Sequence, residues 1–155
     1  MSTVTRLTRQ FVTHTGLAID GTKAGVSYSL RGKRILVVED EVDALDLIEL
    51  MLKAAGADVA KAASGDAALA HMRQAPFDLV VSDIGLPEMD GYQLAGELRK
   101  LSRSHGTDPK MIAFTAYADS AHRQRAVDAG FEAHIAKPVD PVALVSLVTH
   151  LLSLS

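Results

Sequence analysis

Asp78-Leu-Val-Val-Ser-Asp83 and, upstream of it, Arg34-Ile-Leu-Val-Val-Glu39-Asp40 are short apolar runs that each close on carboxylates. Such a run, with no polar alternation, reads as a strand buried on both faces, the habit of parallel sheets covered by helices on both sides. Working outward from the first run, residues 42–55 place Val42, Leu45, Ile48, Leu52 and Ala55 at helical spacing, and Gly56 stops the helix. Residues 57–62 read as a weaker strand. Ser64 then caps a helix running to about Gln74, ended by Pro76. Beyond Asp83, the residues Gly85, Pro87 and Gly91 mark a loop, and a helix covers 92–103. Ser104 to Pro109 is a polar connector, Lys110 to Thr115 a fourth strand, and 119–129 a helix stopped by Gly130. Glu132 to Ala136 is a short fifth strand, and Asp140 caps a last helix with Pro141 at its first position. Strands alternating with helices predict an α/β domain with a doubly wound parallel sheet and right-handed crossovers. Sites in such sheets form outside the carboxyl ends of the strands.

The chain has 155 residues, 16 Lys and Arg against 19 Asp and Glu, and a formal net charge of −3. The absence of cysteine excludes disulfides, thiolate zinc sites and a cysteine nucleophile. No apolar run approaches the roughly 20 residues that span a bilayer. Scattered basic residues in an acidic chain argue against a nucleic-acid surface. No continuous apolar stretch follows Arg6 and Arg9, so no secretory signal is expected, and the reading is a cytoplasmic globular domain with no membrane partner. Residues 1–33 stand outside the alternation as an N-terminal extension, leaving 34–155 as the domain. Thr3 to His14 reads as one amphipathic turn or helix with Val4, Leu7, Phe11 and Val12 to one side. Residues 17–30 read as a β-hairpin with a longer loop, and a leader without regular structure is the other reading.

Glu39, Asp40 and Asp83 end the two most apolar strands. If those strands are neighbours, three carboxylates meet, which is tolerable only with a cation between them or a proton on one. Hard oxygen ligands that leave positions to water suit Mg²⁺ better than zinc. The plainer alternative is that acids at strand ends solvate the start of a loop. Thr115 and Lys137 end the fourth and fifth strands on the same sheet edge. A hydroxyl and an ammonium beside an acid cluster make a phosphoryl-binding set, with Asp83 as the nucleophile of an aspartyl-phosphate. Taken singly, each is an ordinary residue; their joint placement carries the reading.

The set Glu39-Asp40, Asp83 followed by Leu86-Pro-Glu-Met-Asp-Gly91, Thr115-Ala116 and Lys137-Pro138 resembles the receiver domain of bacterial two-component response regulators, over about residues 33–154. The resemblance implies a flavodoxin-like (βα)5 fold with strand order 2-1-3-4-5, which sets strands one and three side by side. It implies that Asp83 takes a phosphoryl group from a histidine kinase or a histidine phosphotransfer protein. Glu39, Asp40, Asp83 and the backbone carbonyl of Gly85 would hold Mg²⁺, while Thr115 and Lys137 would read the phosphoryl group. Such a domain is a phosphoacceptor and not a turnover enzyme, with self-phosphorylation from small donors and self-dephosphorylation within its reach. The Lys137-Pro138 bond is often cis in this family.

Two positions depart from the commonest pattern. His134 stands at the switch position, usually Tyr or Phe, and brings a titratable ring there. Gly85 and Tyr117 flank the path of the hydrolytic water; glycine leaves it open and Tyr117 is placed to cover it. After Pro138 only the last helix fits, so the signal is expected to leave through a protein surface formed by the fifth strand and the last two helices. On the last helix Leu144, Leu147, Val148 and Leu151 form a core stripe. Val142, Val145 and Leu152 lie beside it and mark either a partner site or a wider core. Leu47 and Leu50 point away from the first helix's core arc, to be covered by Phe11, Val12, the 17–30 hairpin or a second copy in a homodimer. Two further readings stay open: the C-terminal receiver of a hybrid histidine kinase, whose ATP-binding domain Tyr28-Ser-Leu30 weakly resembles at its end, and a phosphate sink without direct output. A phosphohydrolase of the haloacid dehalogenase type is disfavoured, because Gly85 stands where its second aspartate would be.

Overall fold

A computed structural model describes residues 30–116 and 119–154. Its elements are β1 (Arg34–Val38), α1 (Val42–Ala54), β2 (Asp58–Ala62), α2 (Gly65–Gln74), β3 (Leu79–Asp83), α3 (Gly91–Ser104), β4 (Lys110–Thr115), α4 (Ser120–Asp128), β5 (Ala133–Ala136) and α5 (Pro141–Ser153). The strands form one sheet in the order β2-β1-β3-β4-β5, every pair parallel. The doubly wound fold and the 2-1-3-4-5 order are therefore as expected. The extension's helix and hairpin, and Tyr117, lie outside the described residues.

The period-two geometry of a strand explains why the central runs carry no polar alternation. Ile35, Val37, Leu79, Val81, Ile112 and Phe114 face one side, where α1 and α5 cover them with Ile48, Leu52, Leu144 and Val148. Leu36, Val38, Val80, Met111 and Ala113 face the other, against Ala68 and Met72 of α2 and Leu94 and Leu98 of α3. Each large side chain withdrawn from water in these layers stabilises the fold by about 1.5–3 kcal/mol. Ser64, Asp90, Asp119 and Asp140 cap the helices that follow them, accepting from the N–H of Ala67, Tyr92, His122 and Val142. Each cap is worth about 1 kcal/mol.

Two details differ from the sequence reading, and one choice it left open is decided. Helix α3 takes one more residue at each end than 92–103, with Asp90 as its N-cap and His105 as its C-cap. The core reaches back to Leu30, which is buried against the α1 side and donates its N–H to Ala55 O at 2.8 Å. Val145 is not on a free flank of α5. It is buried in the core with Leu144 and Val148, and Leu152 packs against the same cluster. The apolar flank is a wide core stripe, because α5 packs against both the sheet and α1. No helix among the described residues is long and apolar enough to cross a membrane.

Candidate functional site

The topology brings the strand-end residues together. Val38 pairs with Ser82, so the chain leaves β1 and β3 side by side, at Glu39 and Asp83. Glu39, Asp40 and Asp83 each offer a carboxylate oxygen within 4.8 Å of the others. Glu39 and Asp83 are buried, at 1% and 3% exposure, whereas Asp40 is exposed. On the other flank Asp83 pairs with Phe114, placing Thr115 one residue beyond it, and Thr115 pairs with Ala136. The next residue, Lys137, donates its backbone N–H to Thr115 O at 2.8 Å. The Lys137-Pro138 peptide is cis.

The Lys137 ammonium lies 3.0 Å from Asp83 Oδ2 and 2.9 Å from Glu39 Oε1, and 5.0 Å from the centre of the Phe114 ring. Asp83 Oδ1 accepts from the Gly85 N–H at 2.9 Å, and Glu39 Oε2 from the Glu41 N–H at 3.1 Å. Glu39 Oε1 is buried and has no hydrogen-bond partner; the contact with Lys137 is an ion pair outside hydrogen-bond geometry. Burial raises the Glu39 carboxyl above the ordinary carboxylate range, with the neighbouring Asp83 charge adding to it, despite the Glu41 N–H and Lys137. Burial also opposes the charge on Lys137, but its contacts with Glu39 and Asp83 together hold that ammonium above its usual value. An oxygen-only donor set of three carboxylates, more acid than one ammonium can balance, fits a hard divalent cation.

Thr115 is buried at this edge, and Gly85 borders the cluster. His134, on β5, is half-buried; burial first, and then the charge of Arg123, lower its ring below the usual histidine value. The five acid, hydroxyl and ammonium positions singled out by strand-end placement therefore share one edge of the sheet. The sequence reading missed a tie beside it. Asp90 Oδ2 accepts from Arg125 at 2.9 Å, and that guanidinium sits 4.3 Å over the Tyr92 ring. Tyr92 in turn donates its hydroxyl to His122 O at 3.4 Å, so α4 is held to the start of α3. Two residues of the basic run, His122 and Arg125, thus make contacts to α3. A groove of about 440 Å³ opens beside the site, lined by Glu39, Ala44, Leu47, Phe114, Lys137 and Val139 among others.

Comparison with known proteins gives a consistent picture. The response regulator receiver domain family matches residues 35–149. An uncharacterized 14.6 kDa protein in the sodA1 3' region of Leptolyngbya boryana is 43% identical over 114 residues, which cover 74% of this chain and 86% of that one. The sensor histidine kinase GacS of Pseudomonas protegens is 35% identical over 121 residues, 77% of this chain but 13% of the kinase. Among solved structures, a CheY-like response regulator receiver domain protein from Methanospirillum hungatei superposes with a TM-score of 0.71 at 34% identity, covering 78% of this chain and 94% of that one. The receiver domain of sensor histidine kinase PA1611 from Pseudomonas aeruginosa, with a magnesium ion coordinated in its active-site cleft, gives 0.68 at 30% identity, covering 79% and 98%.

Proposed function

Because the chain belongs to the response regulator receiver domain family of two-component signalling, we propose that Asp83 is its phosphoacceptor and that a histidine kinase or histidine phosphotransfer protein is the donor. The observation that carries this reading is the single ammonium of Lys137 set between the two buried carboxylates of Glu39 and Asp83, with the exposed Asp40 carboxylate beside them. An Asp83 carboxylate oxygen attacks the donor's phosphorus. The new O–P bond forms as the P–N bond of a phosphohistidine, or the P–O bond of acetyl phosphate, breaks, and its electron pair leaves with the donor. Lys137, already 3.0 Å from Asp83, balances charge on the incoming phosphoryl oxygens, and the Thr115 hydroxyl hydrogen-bonds one of them. Glu39, Asp40, Asp83 and the Gly85 carbonyl would hold Mg²⁺. When bound, the ion supplies charge neutralisation and orientation for the phosphoryl group. The domain then acts as a cytoplasmic phosphoacceptor, without turnover of an external substrate, whose acyl-phosphate biases a two-state surface toward partner binding.

Intact mass after incubation with acetyl phosphate tests this. One phosphoryl group is expected with Mg²⁺ present and none with chelator. Equal labelling with and without the ion rejects the site. The 35% identity to part of GacS supports a second setting for the same chemistry, as a receiver segment within a longer kinase.

His134 gives the switch position a pH dependence. Its folded pKa is lowered, so between that value and about 6.5 the unfolded chain binds more protons, and stability rises with pH. The contribution is complete above about 6.5 and is lost as pH falls through the folded value. Urea midpoints at about pH 7.5 and pH 5.5 are expected to fall further for the natural chain than for His134→Phe. Equal falls in both proteins would show that this ring is not the titrating group.

A further inference from the structure

We propose that the chain's own N-terminal stretch, Thr3 to His14, docks on the outer face of α1, against an acidic, apolar stripe that runs into the groove beside the site. Of the five large apolar side chains exposed among the described residues, three lie on this one helix: Val42 at 63%, Leu47 at 41% and Leu50 at 63%. Asp43, Leu47, Leu50 and Ala54 follow one another at intervals of four, three and four, which is one side of a helix. Leu47 also lines the groove of about 440 Å³, with Ala44, Phe114, Pro138 and Val139. The apolar surface therefore continues from the helix toward Glu39 and Lys137.

Charge and connectivity select the occupant. Around α1 stand Glu41, Asp43, Asp46 and Glu49, with Lys53 as the one basic residue of the helix. Lys53 and Lys61 pair with Glu49, and Lys61 with Asp46, whereas Glu41 and Asp43 have no ion pair among the described residues. Residues 1–29 carry Arg6, Arg9 and Lys23 against Asp20 alone, and their Val4, Leu7 and Phe11 recur at helical spacing. A basic amphipathic stretch thus belongs to the same chain as an acidic amphipathic face. The tether ends where it is needed: Leu30 is buried and bonded to Ala55 O at the C-terminal end of α1. The linker from His14 to Leu30 spans up to about 50 Å when extended, against about 20 Å for the helix. Attachment also raises the local concentration of the stretch to the millimolar range. A second copy packed symmetrically on this face would set Glu41 and Asp43 against themselves, which disfavours that occupant.

The absence of natural cysteine makes a crosslink in the full chain clean. Thr8→Cys is paired either with Val42→Cys, next to Asp43 at the start of the stripe, or with Val127→Cys, equally exposed on α4 across the sheet. Because the tether can reach both positions, an undocked leader closes both disulfides at similar rates. Docking is expected to close the first pair within one chain about tenfold faster than the second. Adding Arg6→Glu and Arg9→Glu is expected to erase that preference. Equal rates, a product between two chains at position 42, or a preference that survives the charge reversal would each overturn the proposal. None of these readouts involves phosphorylation, so their failure leaves the Asp83 assignment standing.

Discussion

Asp83→Asn is expected to remove phosphoryl uptake from acetyl phosphate by at least about a thousandfold, a barrier increase of about 4 kcal/mol, while leaving the fold intact. The amide has the same shape, so its oxygen keeps the Gly85 N–H bond made at 2.9 Å by Asp83 Oδ1. What it lacks is the charged oxygen that attacks phosphorus and becomes the acyl oxygen of the product. Lys137 loses one of its two carboxylates but retains Glu39 at 2.9 Å. With the Asp83 charge gone, one of the influences that raise the Glu39 carboxyl goes too, so the metal-free variant is relieved of repulsion. Mass spectrometry should therefore give no label, and a urea melt a midpoint no lower than that of the natural chain. Label persisting at the natural level would place the acceptor elsewhere, with the urea melt separating that result from misfolding.

What the sequence made legible followed from burial. Strands β1, β3 and β4 are buried at nearly every position, so their apolar runs stand out unaided. Strand β2, at the sheet's edge, exposes Asp58 and Lys61, and β5 has four residues; both read weakly for that reason. Glu39, Asp40, Asp83, Thr115 and Lys137 were found because each ends a strand or follows one directly. Their convergence, however, depends on β1 lying beside β3. Periodicity is silent about strand order, which came from the resemblance. The flank of α5 was ambiguous because six successive residues, Ala143 to Val148, are buried, and no single stripe of a helical projection represents that. The Asp90–Arg125 tie was invisible for a different reason: its partners are 35 residues apart, and its worth lies in the Tyr92 ring between them.

Gly91→Ala is expected to be the most damaging glycine-to-alanine change among the described residues, costing about 3 kcal/mol of stability or more. A Cβ at this position would lie 2.5 Å from Ile84 Cα, 2.7 Å from Asp83 O and 2.9 Å from Ile84 O. All three are backbone atoms, which cannot turn aside as a flexible side chain can. The Gly91 N–H also donates to Ile84 O at 3.1 Å, so the first turn of α3 is bound to the chain it would have to leave. Backing away would move residues 84–90, and with them the Gly85 N–H that fixes Asp83 Oδ1. Loss of stability should therefore come with slower labelling of the fraction that remains folded. Gly96→Ala, in the same helix, meets nothing within 4 Å and lies on the exposed side. There the same methyl group is expected to stabilise by about 0.5–1 kcal/mol, because alanine surrenders less backbone entropy than glycine. Urea midpoints for the two variants should thus move in opposite directions. If Gly91→Ala melts with the natural chain, the close approach of α3 to the end of β3 is not what holds the nucleophile's loop.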